Sequence, residues 1–528
     1  MTDTGLADAP GRGRAMRSGR LAIIVAAVLL SLIARLNWVG GPFSRDESAA
    51  MTVAREMQFG ELPNVTAWQQ RHPGTYLFYF AASLVPVGAD AQLDLLAATA
   101  VAVTVIALGS WLFATVSPLA AAFGVLAYAI VSADLATQGQ TANTELIINA
   151  LLTSAVALLA RFRNGRAGLA AVVAAGVLVG ISGSIKEHTV LFCLVMAFVL
   201  LRPRGGPRSF APAGAFVVGA ALPWLAIVGV YALAGEMDVV IDTFLFNAYH
   251  VTLPLKDLLA GPLLLFTPGL GPLWGTWPLW LLALMWAGVR ASGRGFSTYG
   301  VSYLAAAAGM IVLPGYYFAH YYLLALPAVA ACGAAFVHAV EEQSRKRAAI
   351  LAAAVVAFVA LMQVAFATGH VPLEVRKLAV TDEGTVAQRA FARALGEKCQ
   401  GATLLLYGTD HQFHLYSALR PAQPILWLSY YDATRFRGAD AGAKPFLDRA
   451  LNTLASRAPD LVLLQTEVRL DDDRPVARRL ATLLREGYET VPVVSVAGNT
   501  RVSLDQLRAE SLFRRRGGDE CGRPDRHQ

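Results

Sequence analysis

Apolar runs long enough to cross a bilayer recur from Leu21 to Thr368 and then stop. A helix needs about 20 apolar residues to span the hydrocarbon core, and this chain supplies such runs repeatedly, parted by short basic clusters. It is predicted to be a polytopic α-helical membrane protein with a C-terminal soluble part. The composition agrees: 55% of the 528 residues are hydrophobic and 15% are charged, where soluble proteins carry about a quarter charged residues. The net charge of +7 calls for no nucleic-acid partner. Much of it sits in loop clusters where positive residues mark the cytoplasmic side.

Those clusters orient the chain. Residues 1–20, with Arg12, Arg14, Arg17 and Arg20, read as a disordered cytoplasmic tail. Leu21–Val39 runs outward, with no cleavage site to release it. Arg35 near its far end is expected to snorkel to the interface or to meet an anionic headgroup. A first outer loop follows, residues 40–92. Thr75–Val87 within it is apolar but too short to span, and is read as interfacial or re-entrant. Further spans end at Arg161, Arg163 and Arg166, which are cytoplasmic. Lys186 lies at the outer tip of the next hairpin. Gly235–Lys256 reads as another outer loop, followed by an apolar stretch to Gly288. Spans at Tyr299–Leu313, Tyr321–Val340 and Ala348–Thr368 complete about 11–13 crossings. An odd number of crossings between a cytoplasmic N-terminus and the last span puts residues 369–510 outside the cytoplasm. Short apolar runs at Thr403–Tyr407, Leu461–Gln465 and Val491–Val496 read as strands. Val386–Leu395 and Ala477–Leu484 read as helices. A small α/β domain is therefore expected, with a disordered charged tail at 511–528. Cys193 and Cys332 lie in apolar runs and read as core residues. Cys399 and Cys521 can pair if this domain is extracytoplasmic.

The polar residues that interrupt the apolar runs gather at the outer ends of the spans. They include Asp46/Glu47, Arg71/His72, Asn143/Glu145, Lys186/Glu187/His188, Asn247/His250 and His320/Tyr321/Tyr322. Ionisable residues converging from separate loops on one membrane face mark a site. Their chemistry is complementary. A carboxylate can take a proton from an acceptor hydroxyl or amine, cations such as Arg71, Lys186 or His320 can hold a phosphate leaving group, and grooves between helices can take a lipid tail. Asp46 and Glu47 open a helix whose capping box is Ser44 and Glu47, where the helix dipole favours the ionised acid. The apolar face Ala50, Val53, Ala54 and Met57 suggests that this helix lies on the membrane surface. Adjacent helical residues point about 100° apart, so one acid suits the chemistry and the other the cap. Asp46 is assigned the first role. Glu47, which can serve the cap, and Glu145 are kept beside it as further candidate catalytic acids. The two acid loops leave a divalent cation open as a ligand. His411 and His414 beside Asp410 read as structural rather than as a metal pair.

The ordered set of segments resembles the GT-C glycosyltransferases, in particular the protein O-mannosyltransferase-like family that includes the lipid A aminoarabinose transferase. The marks are Arg35; Ser44-Arg45-Asp46-Glu47-Ser48-Ala49; Arg71-His72-Pro73-Gly74-Thr75-Tyr76; Thr144-Glu145-Leu146; Gly183-Ser184-Ile185-Lys186-Glu187; and His320-Tyr321-Tyr322-Leu323 through Pro327. The resemblance covers residues 21–368. It implies a polyprenyl-phosphate-linked sugar as donor, a glycan, lipid or protein as acceptor, Asp46 as general base, and inversion at the anomeric carbon. It also puts Lys186 and His320 near the donor phosphate, and Arg71, His72 and Tyr321 join them as candidate donor-phosphate or substrate-binding residues. This sequence departs from the family at Arg71 and His72, where the family has Lys and Pro, and at Glu187, where the family has Gly. A bacterial inner membrane is the expected location. Two other classes fit an apolar chain with buried charge: a secondary transporter, and a membrane protein that binds a lipid-linked sugar without catalysis. Transporters place such charges at the midplane, often on repeated halves. Here the acids lie at span ends and no repeat is visible.

Overall fold

The structure is a computed structural model. It describes residues 10–41, 43–201, 210–250, 273–290, 296–315, 317–368, 383–423, 425–434, 436, 443–456, 458–465, 474–491 and 509–521. Among these, six helices are long and apolar enough to cross a membrane and five more are apolar but shorter. The membrane domain comprises α1 (Pro10–Ile33), α2 (Arg45–Glu56), α3 (Gly74–Ser83), α4 (Ala89–Leu112), α5 (Pro118–Val131), α6 (Thr144–Arg163), α7 (Leu169–Gly183), α8 (Val190–Leu201), α9 (Ala211–Ala234), α10 (Met237–His250), α11 (Trp277–Arg290), α12 (Phe296–Val312), α13 (Leu326–Gln343) and α14 (Arg345–Thr368). Local signals start several of them. Ser44 and Glu47 form the capping box of α2; Ser117 caps α5 with Pro118 in its first turn; Pro327 sits in the first turn of α13, where a missing N–H costs nothing. The α7–α9 crossing is close because Gly176 faces it: a Cβ there would lie 2.1 Å from the Phe216 carbonyl oxygen. Such small-residue contacts let membrane helices approach closely.

Several expectations change. Helix α1 starts at Pro10, so the basic segment before Leu21 is helical over half its length. Arg35 neither snorkels nor meets a headgroup. It is buried and donates to the carbonyls of Ser31, Ser132 and Gly139 and to Ser132 Oγ. A guanidinium has five donors, and these four acceptors satisfy most of them. Arg35 thereby pins the 132–139 loop, whose next residues reach the site. Helix α2 does not lie on a membrane surface. Its face from Glu47 to Ala54 is buried, packed against α3 and a helix of the soluble domain. The segment from Gly235 holds α10 rather than an open loop; residues 251–272 lie outside the described set, as do Arg202, Arg204, Arg208 and Arg294.

The soluble domain contains α15 (Glu383–Lys398), α16 (Gln412–Ser417), α17 (Leu428–Thr434), α18 (Lys444–Ser456) and α19 (Pro475–Gly487). Its strands are β1 (Thr403–Tyr407), β2 (Arg420–Pro421), β3 (Leu461–Gln465), β4 (Tyr488–Val491) and β5 (Ala509–Arg515). They form one sheet in the order β2-β1-β3-β5-β4. β1 runs parallel to β2 and β3, while β5 is antiparallel to β3 and β4. β1 and β3 are almost wholly buried, as strands covered on both faces are. The tail expected to be disordered from 511 instead supplies β5, paired Val462 to Phe513. Leu512 and Phe513 fill core positions that the arginines beside them masked in the sequence. Cys521, just beyond, forms a disulfide with Cys399. The third expected strand starts earlier, at Tyr488, and residues 492–496 are outside the described set.

The two domains are tied together through the segment that links α1 to α4. Trp68 pairs with Ile425 as an isolated parallel bridge, and its carbonyl accepts from Leu426 N at 2.8 Å. Its indole is buried against Phe246, Tyr431 and Phe446. Arg389 donates to the carbonyls of Gly40 and Gly41. Arg420 pairs with Glu56. Tyr416 donates to Asp90 at 2.8 Å. The soluble domain thus sits directly on α2 and its flanking turns.

Candidate active site

A cavity of 580 Å³ lies where the ends of the membrane helices meet the soluble domain. It collects residues distant in sequence: Asp46 from the start of α2, Arg71 from the turn before α3, Lys186 and His188 from the α7–α8 turn, Asn247 from α10, and His320 and Tyr321 from the 3-10 turn leading into α13. The turns that carry Arg71 and Lys186 are pressed together at Gly74, where a Cβ would lie 2.0 Å from Ser184 Oγ. No side chain larger than hydrogen fits there.

The charges form one linked set. Arg71 contacts Asp46 Oδ2 at 3.0 Å and donates to Thr144 Oγ1 at 2.8 Å. Lys186 Nζ forms an ion pair with Glu145 and lies 4.3 Å from the centre of the Tyr321 ring, within cation–π range. His320 Nε2 stands 3.6 Å from Asp46 Oδ2 and 3.9 Å from Glu145 Oε1. Burial opposes ionisation of Asp46, but Arg71, His320 and Lys186 outweigh it and hold its pKa below the ordinary aspartate value. Burial also works against the charge on Arg71, and Asp46 more than restores it. Burial lowers the Lys186 pKa, with Glu145 pulling the other way.

The structure separates the two adjacent acids. Glu47 is buried and outside the cavity lining. Its Oε1 accepts from Ser44 N at 2.5 Å, and its Oε2 from Ala142 N at 2.6 Å. Burial pushes its pKa up to about 7 against those two N–H groups. Glu47 therefore holds the cap and the 138–142 loop together, which corrects the expectation of a catalytic acid there to a structural role. His72 is corrected as well. It is fully buried, bonded to Glu187 Oε2 at 3.0 Å and packed on Trp224 and Phe244, behind the lining rather than on it. The Glu187 that departs from the family pattern is thus the partner of the His72 that also departs. Arg71 lines the cavity, gives Nη2 to Asp46 and Nη1 to Thr144, and keeps a buried Nε without a partner. Glu145 lies just behind Lys186 and His320, fully buried. The His250 side chain lies outside the described residues.

The sequence reading missed the soluble domain's share of the cavity: Gln388, Thr409, Asp410, Gln412, Trp427 and Tyr430. It also missed Gln138, Gln140 and Thr141 of the α5–α6 loop. No motif flagged them; the polar run from Asp134 to Glu145 was the one available signal. His411 and His414 prove to be structural. His411 Nε2 accepts from Trp427 N at 3.0 Å, and the His414 ring contacts the Leu419 carbonyl and Gln423. Burial lowers both pKa values, that of His414 to about 4. Among the described residues no group of three His, Cys, Asp or Glu is placed to hold a metal ion; Asp46 and Glu145 pair with Arg71 and Lys186 instead.

No protein-family profile and no curated protein sequence matches the chain. Solved structures do. ArnT from Cupriavidus metallidurans bound to undecaprenyl phosphate superposes with a TM-score of 0.58 at 14% identity, covering 94% of this chain and 98% of that one. The oligosaccharyltransferase of Archaeoglobus fulgidus in the apo form gives 0.51 at 12% identity, over 85% and 70% of the two chains. Arabinofuranosyltransferase AftD from Mycobacteria gives 0.50 at 14% identity, over 93% of this chain and 41% of that one. This chain shares their fold, a polytopic helical membrane domain carrying a soluble C-terminal domain, which is the GT-C fold expected from its sequence.

Proposed function

We propose that the protein is a membrane glycosyltransferase that moves a sugar from a polyprenyl-phosphate donor to a glycan, lipid or protein acceptor on the extracytoplasmic face. The observation that carries this reading is the convergence of Asp46, Arg71, Lys186 and His320, from four separate segments, on one cavity where the helices meet the soluble domain. The shared fold with a structure holding undecaprenyl phosphate supports the donor class.

In this mechanism the acceptor O–H or N–H attacks the anomeric carbon as the bond from that carbon to the phosphate oxygen breaks. The proton passes to Asp46 and the polyprenyl phosphate leaves with the electron pair. Attack opposite the leaving group inverts the anomeric centre. Arg71 and His320 both meet Asp46 through Oδ2, so Oδ1 is the oxygen for the acceptor proton. Arg71 keeps Asp46 ionised, which makes it a weak base that takes the proton late, as the anomeric carbon becomes cationic. Lys186 and His320 neutralise charge growing on the departing phosphate. Glu145 orients Lys186, and Tyr321 covers its ammonium. The phosphate leaves more highly charged than it arrived, because a monoester carries about −1.5 to −2 where the diester carries one charge. Cations fixed in place thus favour the products' side of the transition state.

For orientation, the basic segment before Leu21 is assigned to the cytoplasm and the soluble domain to the outside of a bacterial inner membrane. The Cys399–Cys521 disulfide supports this, since such bonds persist in oxidising compartments. The test of the function is to incubate purified protein with undecaprenyl phosphate carrying different sugars, in the presence of membrane extracts as acceptor source. Release of undecaprenyl phosphate with an inverted product linkage supports the reading. Failure to consume any donor sinks it in favour of binding without transfer.

A further inference from the structure

The cavity is unevenly satisfied. On its membrane side Asp46, Arg71 and Lys186 each have a charged partner, although Arg71 Nε and His188 Nε2 are buried there and unbonded. Across the junction with the soluble domain, four side chains that line it hold polar atoms that are buried and unbonded: Gln140 Nε2 and Oε1, Thr409 Oγ1, Gln412 Oε1 and Trp427 Nε1. Gln140 and Gln412 are only 4% and 5% exposed. Buried polar atoms without partners are uncommon in native folds and costly. These four residues, one from the α5–α6 loop and three from the soluble domain, line one cavity and point to a ligand that supplies the partners.

The atoms also state which chemistry fits. Trp427 Nε1 and Gln140 Nε2 are donors and need an acceptor. Gln412 Oε1 and Gln140 Oε1 are acceptors and need a donor. A phosphate diester offers only acceptors, and an isoprenoid chain offers neither. A sugar ring offers hydroxyls that donate and accept, with a C–H face for an indole. These side chains are also held in place. Gln412 Nε2 donates to Gln388 Oε1 at 2.5 Å, which fixes Oε1 on the other side. Trp427 has φ +59, a left-handed conformation that is uncommon for a bulky residue. Its N–H is held there by His411 Nε2 at 3.0 Å, whose ring stacks on His414. The two buried histidines thus find a use: they set the backbone that aims Trp427.

We infer that Gln140, Thr409, Gln412 and Trp427 form a sugar-binding subsite across the domain junction, through which the soluble domain selects the sugar. The inference deepens the proposed transferase reading and rests on it. Either the sugar on the donor or a sugar of the acceptor presents the required hydroxyls, and the test separates them.

Full-length protein in nanodiscs is titrated with undecaprenyl phosphate and with the same lipid carrying mannose, glucose or arabinose. In a second arm, protein loaded with undecaprenyl phosphate is probed with the methyl glycosides of those sugars by saturation-transfer NMR. Gln140→Leu, Gln412→Leu and Trp427→Phe are compared with wild type. Trp427→Phe keeps an aromatic ring and removes only the indole N–H, so it guards against a fold defect. Each variant is expected to bind the preferred sugar lipid about three- to tenfold more weakly, the worth of one hydrogen bond, with bare undecaprenyl phosphate unchanged. That result assigns the donor sugar. Unchanged lipid binding with a lost glycoside signal assigns the acceptor sugar. Two results overturn the subsite while leaving the transferase reading intact: all three variants matching wild type in both arms, or bare and sugar-bearing lipid weakening together. Wild-type protein that binds neither lipid overturns the transferase reading and the subsite with it.

Discussion

Replacing Arg71 by Gln removes the charge nearest the proposed base while keeping a donor for Thr144. Arg71 and Asp46 stand 3.0 Å apart. At an effective dielectric of about 20 that contact is worth about 5 kcal/mol of gross attraction. Solvent in the cavity and the remaining pull of Lys186 and His320 reduce the share that reaches the titration. A lone arginine beside an aspartate typically moves its pKa by about one to three. In the variant, burial of Asp46 is opposed by less charge and its pKa rises. The sign follows from its role: a base must be ionised, so activity falls as pH drops through the pKa. The acid limb of kcat should therefore move up by about one to three pH units, each unit being about 1.4 kcal/mol. Well above the limb the variant should approach wild-type turnover, and Arg71→Lys should restore the limb. The assay is kcat against pH from acid to neutral, with folding checked at each point. A limb that stays put, or a loss equal at every pH, refutes the electrostatic account of Arg71.

Three further outcomes concern the frame around the site. Glu47→Ala strips the acceptors from Ser44 N and Ala142 N and should cost about 2–4 kcal/mol, read as a lower thermal midpoint by scanning fluorimetry; Glu47→Gln should recover part of it. Arg35→Met leaves the Ser132 and Gly139 carbonyls unbonded and should lower the midpoint by a comparable amount, about 2–4 kcal/mol, with a larger fall in turnover than in donor binding. Cys399→Ser opens a link spanning 122 residues, worth about 4–5 kcal/mol on loop entropy; reductant should destabilise wild type and leave the variant unaffected.

The membrane domain was legible because the bilayer demands long apolar helices, and because Ser44 and Glu47 carry local start chemistry. Charged residues in apolar surroundings are expensive, so Asp46, Arg71, Lys186 and His320 stood out. The roles of Glu47 and His72 were not legible. A carboxylate that caps a helix and one that takes a proton look alike until their partners are seen, and Glu187, the partner of His72, lies 115 residues away. Arg35 misled for the same reason, since its acceptors are backbone carbonyls, which carry no residue type. Strand β5 was hidden because Arg514, Arg515 and Arg516 flank its few core residues. The soluble side of the cavity was invisible because uncharged Gln, Thr and Trp are unremarkable wherever they occur in a polar domain.

The central claim is that Asp46 takes the acceptor proton. The direct measurement is turnover of Asp46→Asn on the donor that wild type consumes, alongside its affinity for undecaprenyl phosphate. Asparagine keeps the shape and loses the proton acceptor, so turnover should fall by about 10²- to 10⁴-fold, the usual worth of a general base, with the lipid still bound. An Asp46→Asn protein that turns over at the wild-type rate contradicts the claim.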